Sequence, residues 1–98
     1  MPERVQLSRR RGYRKPEGAV VVARPSRWGN PYSIEQWGRD YAVHGFRVAL
    51  EQGRLTRITI DDVRRELAGK DLACWCPLDS ACHADVLLAI ANSERTAP

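Results

Sequence analysis

GKDLACWCPLDSACHADVLLAIAN, residues 69–92, is the stretch from which the fold is read. Leu72–Cys76 is a short apolar run with strand character. Pro77 stops it, because proline has no backbone N–H to donate to a ladder. Asp79 or Ser80 is expected to cap the next element, and Ala81–Asn92 is long enough for about three helical turns. A strand running directly into a helix gathers all three cysteines and one of the two histidines at the junction. In open α/β sheets, ligands bind beyond the carboxyl ends of the strands. The junction therefore predicts both a fold class and the position of a site.

Working outward, Ala19–Ala23 reads AVVVA, a β-branched run without alternation. Such a run suits a parallel strand covered on both faces. Arg24–Pro31, RPSRWGNP, follows as a structured turn, since Gly29 and Asn30 tolerate left-handed geometry and the prolines fix φ. If strands 19–23 and 72–76 are parallel neighbours, the two loops that follow them open at one sheet edge and share a cleft. Val5–Leu7 is a further short strand. Residues 32–38 suit a turn of helix. In Arg39–Gln52, Val43, Phe46 and Leu50 keep helical spacing, and Gly53 fits the C′ position. Thr59 and Asp62 form a capping arrangement ahead of Ile60, Val63 and Leu67, and Gly69 ends that helix. The pattern predicts one small three-layer α/β domain over residues 1–98, with a short, mainly parallel sheet of unspecified strand order. Ser93–Pro98 is expected to fray.

Ninety-eight residues suffice for one modest core, burying roughly 60–70% of the unfolded surface. No apolar segment approaches the roughly 18 residues of a membrane span, and the amino terminus has no apolar signal region. Three cysteines cannot all pair within the chain, which argues for a reducing cytoplasm. Residues 1–27 carry eight basic groups against two acidic ones, a net of +6, while residues 28–98 carry a net of −2. The basic loop 8–18, SRRRGYRKPEG, should move freely unless an anion neutralises it. Arginine favours bidentate contact with phosphate or carboxylate. Expected partners are therefore an anionic small molecule or a nucleic acid, and a membrane is not among them. A solubilising surface is the plain alternative. The last helix is apolar on most sides, so it should pack on the sheet and on a second helix or another copy of the chain.

Three chemistries compete at the junction. In the first, Arg24, Arg27, Trp28, Gly29 and Asn30 bind an anionic or nucleotide-like ligand. Cys82 is then a candidate nucleophile, His83 a general acid or base, and Asp85 a hydrogen-bond partner for either. Neighbouring side chains on a helix do not face each other, so Cys82 and His83 need not form a dyad. In the second, Cys74, Cys76, Cys82 and His83 bind zinc, although Cys-x-Cys departs from the usual spacing and no ligand set is assigned. In the third, the cysteines pack as small hydrophobes. Trp28 either stacks on a base or closes the core, and Tyr32 is expected to pack. No cofactor is specified. A non-enzymatic nucleic-acid or protein interaction module using the basic loop, or a zinc-stabilised adaptor, are the rival functions.

Arg24–Tyr32, Leu67–Lys70, Cys74-Trp75-Cys76-Pro77 and Cys82-His83-Ala84-Asp85 together resemble a family of small uncharacterised domains from bacteria and their phages. The resemblance covers nearly the whole chain after the first few residues. It implies an α/β domain whose paired RPSxWGNP and CWC…CHAD motifs build a common site, and it supplies no substrate.

Overall fold

The computed structural model describes residues 2–24 and 26–92. The expected fraying of Ser93–Pro98 lies outside the described residues. Three strands and four helices follow in the order β1 (Arg4–Gln6), β2 (Val20–Val21), α1 (Ile34–Trp37), α2 (Arg39–Glu51), α3 (Ile60–Leu67), β3 (Leu72–Cys74) and α4 (His83–Asn92). The expected α/β fold is present, with a short sheet ordered β1-β3-β2 in which both pairings are parallel.

The strand that opens the 69–92 stretch is thus the central one. Val5 and Val21 both align with Ala73, on opposite sides of β3. The ladders continue beyond the formal strands, from Leu7 N to Cys74 O at 2.7 Å and from Val22 N to Ala73 O at 2.9 Å. Leu72, Ala73 and Cys74 are all buried. The both-faces-covered reading therefore belongs to β3 and not to residues 19–23. β2 is an edge strand, and Val21 remains 37% exposed. β3 also ends at Cys74, two residues short of expectation, where Trp75 and Cys76 bend out of the ladder.

Each helix start has a local cause. Ser33 Oγ accepts from Gln36 N to cap α1. Gly38, at φ +85°, supplies the left-handed step between α1 and α2. Thr59 and Asp62 form a reciprocal capping box on α3, as the sequence predicts. α4 differs. Asp79 and Ser80 lie in the preceding turn, where Ser80 N bonds Pro77 O, and Asp85 Oδ2 instead accepts from Cys82 N.

Phe46 and Leu50 from α2, Val63 and Leu67 from α3, and Leu87 from α4 meet Leu72, Cys74 and Val22 in the core. α4 packs on α2, α3, β3 and β1, so its apolar faces find most of their cover within the chain. Among the described residues no helix is long and apolar enough to cross a membrane. The basic loop is held more firmly than its like charges suggest. Tyr13 Oη donates to Gln6 O, Lys15 Nζ donates to Ala19 O, and the Arg9 guanidinium stacks 4.5 Å above Trp75.

Candidate functional site

Because β2 and β3 are parallel neighbours, the loops that follow them emerge together. A cleft of about 290 Å³ lies between them, lined by Arg24 and Asn30 on one side and by Cys74, Trp75, Cys76 and His83 on the other. Tyr32, Ser33, Ile34, Glu35 and Val43 complete the walls. A second cleft, of about 490 Å³, shares Arg24 and Tyr32 with the first and is otherwise bordered by Arg27, Arg54 and Arg57 with Leu55, Thr56 and Ile58. Arg24 and Tyr32 therefore stand between two neighbouring depressions.

The 24–32 loop brings some predicted residues to the cleft and withholds others. Arg24 is exposed, and among the described residues its guanidinium has no ion-pair partner. Gly29 packs so closely beneath it that a Cβ there would lie 2.6 Å from Arg24 Cγ and 3.0 Å from its Cα. Gly29 thus serves the site by giving Arg24 room. Asn30 is only 8% exposed, and both ends of its amide are used structurally. Nδ2 donates to Ala42 O at 3.0 Å and Oδ1 accepts from Tyr32 N at 2.9 Å, which pins the loop to α2. Arg27 turns away from the first cleft to pair with Asp62 and Glu66 on α3. Its guanidinium also covers Trp28, which is buried in the core and offers no stacking face to a ligand.

At the opposite wall the three thiols converge. The sulfurs of Cys74, Cys76 and Cys82 all lie within 4.8 Å of one another, and those of Cys74 and Cys82 are 3.0 Å apart. Cys82 sits just before the first helical residue, so the helical rotation between neighbours does not separate it from His83. Its sulfur lies 3.7 Å from His83 Nδ1. The other ring nitrogen, Nε2, is 2.8 Å from Val22 O. A carbonyl can only accept, so the neutral ring carries its proton on Nε2 and turns the Nδ1 lone pair toward Cys82. The Phe46 ring packs nearly perpendicular to the same imidazole, with ring centroids 5.2 Å apart.

Electrostatics divide the thiols. The hydrogen bond between Cys74 and Cys82 holds Cys74 below the ordinary thiol value. The same contact, followed by burial, pushes Cys82 up to about 11. Burial also raises Cys76, partly opposed by a hydrogen bond from the Arg39 guanidinium. A fully buried thiol with so high a value is protonated at neutral pH, so Cys82 does not fit the nucleophile role that its position suggests. Asp85 is not aimed at His83 either. Its Oδ2 pairs with Arg4 Nη1 at 3.2 Å and caps Cys82 N. Arg4 Nη2 also donates to Pro77 O and Leu78 O, so the pair clamps the 77–82 turn from behind the thiols.

Sequence reading missed Arg39, Arg54 and Arg57. Arg39 opens α2 yet reaches forward to Ala81 O, from where its charge favours the Cys76 thiolate. Arg54 and Arg57 lie in what reads as a plain connector, and only the return of that connector beside Arg24 gives them a role. A run of arginines flanking Leu55 and Thr56 was the available signal.

Comparison with curated proteins and with solved structures gave no match. The family model described as a domain of unknown function, DUF4326, matches residues 5–93, and the chain belongs to that family.

Proposed function

We propose that the protein binds a small anionic ligand of the nucleotide or phosphorylated-sugar class across the two clefts that meet at Arg24 and Tyr32. The observation that carries this reading is the grouping of Arg24, Arg54 and Arg57 around one depression, their guanidinium groups without carboxylate partners among the described residues. Unpaired guanidinium groups on a concave surface favour a phosphate through bidentate, charge-assisted hydrogen bonds. The first cleft adds the Tyr32 and Trp75 rings and the Ser33 hydroxyl, groups suited to a sugar or base. Its volume falls near the lower end of small-molecule sites, which run from roughly 300 Å³. A mononucleotide divided between the clefts matches this scale better than a polynucleotide does.

Calorimetric titration with adenosine, AMP, ribose 5-phosphate and inorganic phosphate tests the proposal. The phosphorylated compounds bind and adenosine does not. Arg24→Ala weakens AMP by about 10- to 100-fold, the equivalent of one charge-assisted hydrogen bond of about 1.5–3 kcal/mol. Arg57→Ala weakens it in the same direction. The proposal fails if none of the four binds, or if only replacement of Arg9, Arg10 and Arg11 alters binding. That second outcome, accompanied by steep salt dependence toward single-stranded polynucleotide, identifies the basic loop as the working surface instead.

A further inference from the structure

The thiols converge at the wall of the first cleft, and phosphate binding by the arginines makes no use of them. The geometry points to a site for a thiophilic divalent ion of the zinc class, held by the sulfurs of Cys74, Cys76 and Cys82, with His83 Nδ1, which contacts Cys82 but lies outside the 4.8 Å grouping of the three sulfurs, drawn in as the fourth donor on loading. Four observations bear on it.

The first is the convergence itself. Three sulfurs from the end of β3, the bend after it and the start of α4 share one point although the segments differ in local structure. With metal–sulfur bonds of about 2.3 Å, a tetrahedral ion separates its sulfurs by about 3.8 Å. The Cys74 and Cys82 sulfurs, 3.0 Å apart, lie closer than that, and no pair among the three is separated by more than 4.8 Å. Loading therefore spreads the Cys74–Cys82 pair by under 1 Å, about the difference between 3.0 Å and the tetrahedral spacing. The second is the histidine. A metal-bound imidazole almost always donates its other N–H to a carbonyl or carboxylate, which fixes ring and tautomer. Val22 O already accepts from Nε2, leaving Nδ1 free to bind an ion and 3.7 Å from Cys82 Sγ. A tetrahedral ion needs about 3.6 Å between nitrogen and sulfur donors, which the Cys82–His83 pair meets, while the distance from His83 to the remaining sulfurs closes on loading.

The third observation is charge. Three thiolates and one divalent cation leave a net charge of −1. The Arg39 guanidinium, fixed on Ala81 O, and the Arg4 guanidinium both act favourably on the charged forms, Arg39 on Cys76 and Arg4 on Cys74. Both soften the cost of a buried anionic centre. The fourth is mechanical support. The Arg4–Asp85 pair and the Arg39 bond to Ala81 O brace both sides of the 77–82 turn that carries Cys82. Binding replaces the three thiol protons with the ion and releases them to solvent, so no oxidant or reductant is involved.

The test uses the full chain, purified under reductant without added metal or chelator, then offered zinc sulfate and dialysed. Native mass spectrometry and elemental analysis should both find about one zinc per chain. Cobalt(II) in place of zinc should give thiolate charge-transfer absorption and the intense visible bands of a tetrahedral site. Cys76 is half-buried, so Cys76→Ser tests ligation without emptying the core. It should weaken zinc by more than about 100-fold, beyond the effect of losing an outer-sphere partner. His83→Gln should keep the charge-transfer absorption and shift the visible cobalt bands. Wild-type protein that retains no zinc, or Cys76→Ser that binds as tightly as wild type, overturns the site. Unshifted cobalt bands in His83→Gln overturn the assignment of the fourth donor. Isolation of a Cys74–Cys82 disulfide under the same reductant overturns the whole site, since the pair would then serve as a stable covalent link.

Discussion

Replacing Arg4 with methionine should cost this domain a substantial part of its stability. The Arg4 side chain is only 7% exposed, and it donates to Pro77 O at 2.9 Å, to Leu78 O at 2.7 Å and to Asp85 Oδ2 at 3.2 Å. Methionine keeps much of the apolar stem and removes every donor, so packing is largely conserved. Each carbonyl bond from a charged donor contributes about 1.5–3 kcal/mol, and the lower end applies because water can reach the 77–80 turn. Asp85 is 52% exposed, which limits its ion pair to about 0.5 kcal/mol. The expected loss is therefore about 3.5 kcal/mol, against a total of about 5–15 kcal/mol for a domain of ordinary stability. That corresponds to a fall in Tm of about 14–28 °C. Asp85→Asn retains an oxygen for the Cys82 N–H and should cost less than about 1 kcal/mol. Urea unfolding followed by tryptophan fluorescence and by circular dichroism measures both variants. Arg4→Met within about 1 kcal/mol of wild type, or Asp85→Asn as damaging as Arg4→Met, refutes the reasoning that the two carbonyl bonds dominate the clamp.

Asn30→Ala should destabilise by about 2 kcal/mol by leaving Tyr32 N without its acceptor, and Asn30→Asp should cost more because a carboxylate oxygen then faces Ala42 O; chemical denaturation ranks the two. In metal-free, reduced protein, iodoacetamide at neutral pH should label Cys76 first and Cys82 last, since Cys76 is partly accessible while Cys82 is sealed and protonated; peptide mass spectrometry gives the order. The Thr59 N–H, assisted by Arg65, holds the Asp62 carboxyl below its ordinary 3.8. A depressed folded value means that the ionised form favours folding, so its contribution is complete at neutral pH and disappears as pH falls through the folded value. The stability difference between wild type and Asp62→Ala should therefore hold from pH 7 to about pH 5 and narrow below about pH 4, as read from denaturation midpoints across the series.

Much of the framework could be read locally. The strand-to-helix junction, the Thr59–Asp62 box and the helix stops at Gly53 and Gly69 all depend on residues within a turn or two of one another. The parallel pairing of residues 20–21 with β3 could also be anticipated, because a strand, a helical crossover and a second strand impose it. What escaped was decided by distant partners. The identity of the edge strand depends on whether β1 or β2 lies beside β3, and both do. Arg27 resembles a ligand residue until Asp62 and Glu66 come back beside it from more than thirty positions along the chain. Asp85 sits beside the cysteine-histidine pair in sequence, yet its carboxylate belongs to Arg4 near the other end of the chain. Trp28 follows the same pattern: the loop composition leaves its ring free either to stack on a ligand or to close the core, and the core claims it. Local chemistry marked the neighbourhood of the clefts, while long-range pairing decided which side chains are left for a ligand.

The strand order has a consequence for how the chain becomes a protein. β1 and β2 never pair with each other, and each waits for the same segment more than fifty positions downstream. A nascent polypeptide leaving the ribosome therefore has two orphan edges and no template to dock them until Leu72–Cys74 has emerged. The middle of the sheet arrives last and zips both flanks at once, which makes an all-or-none late step the natural route to the native state.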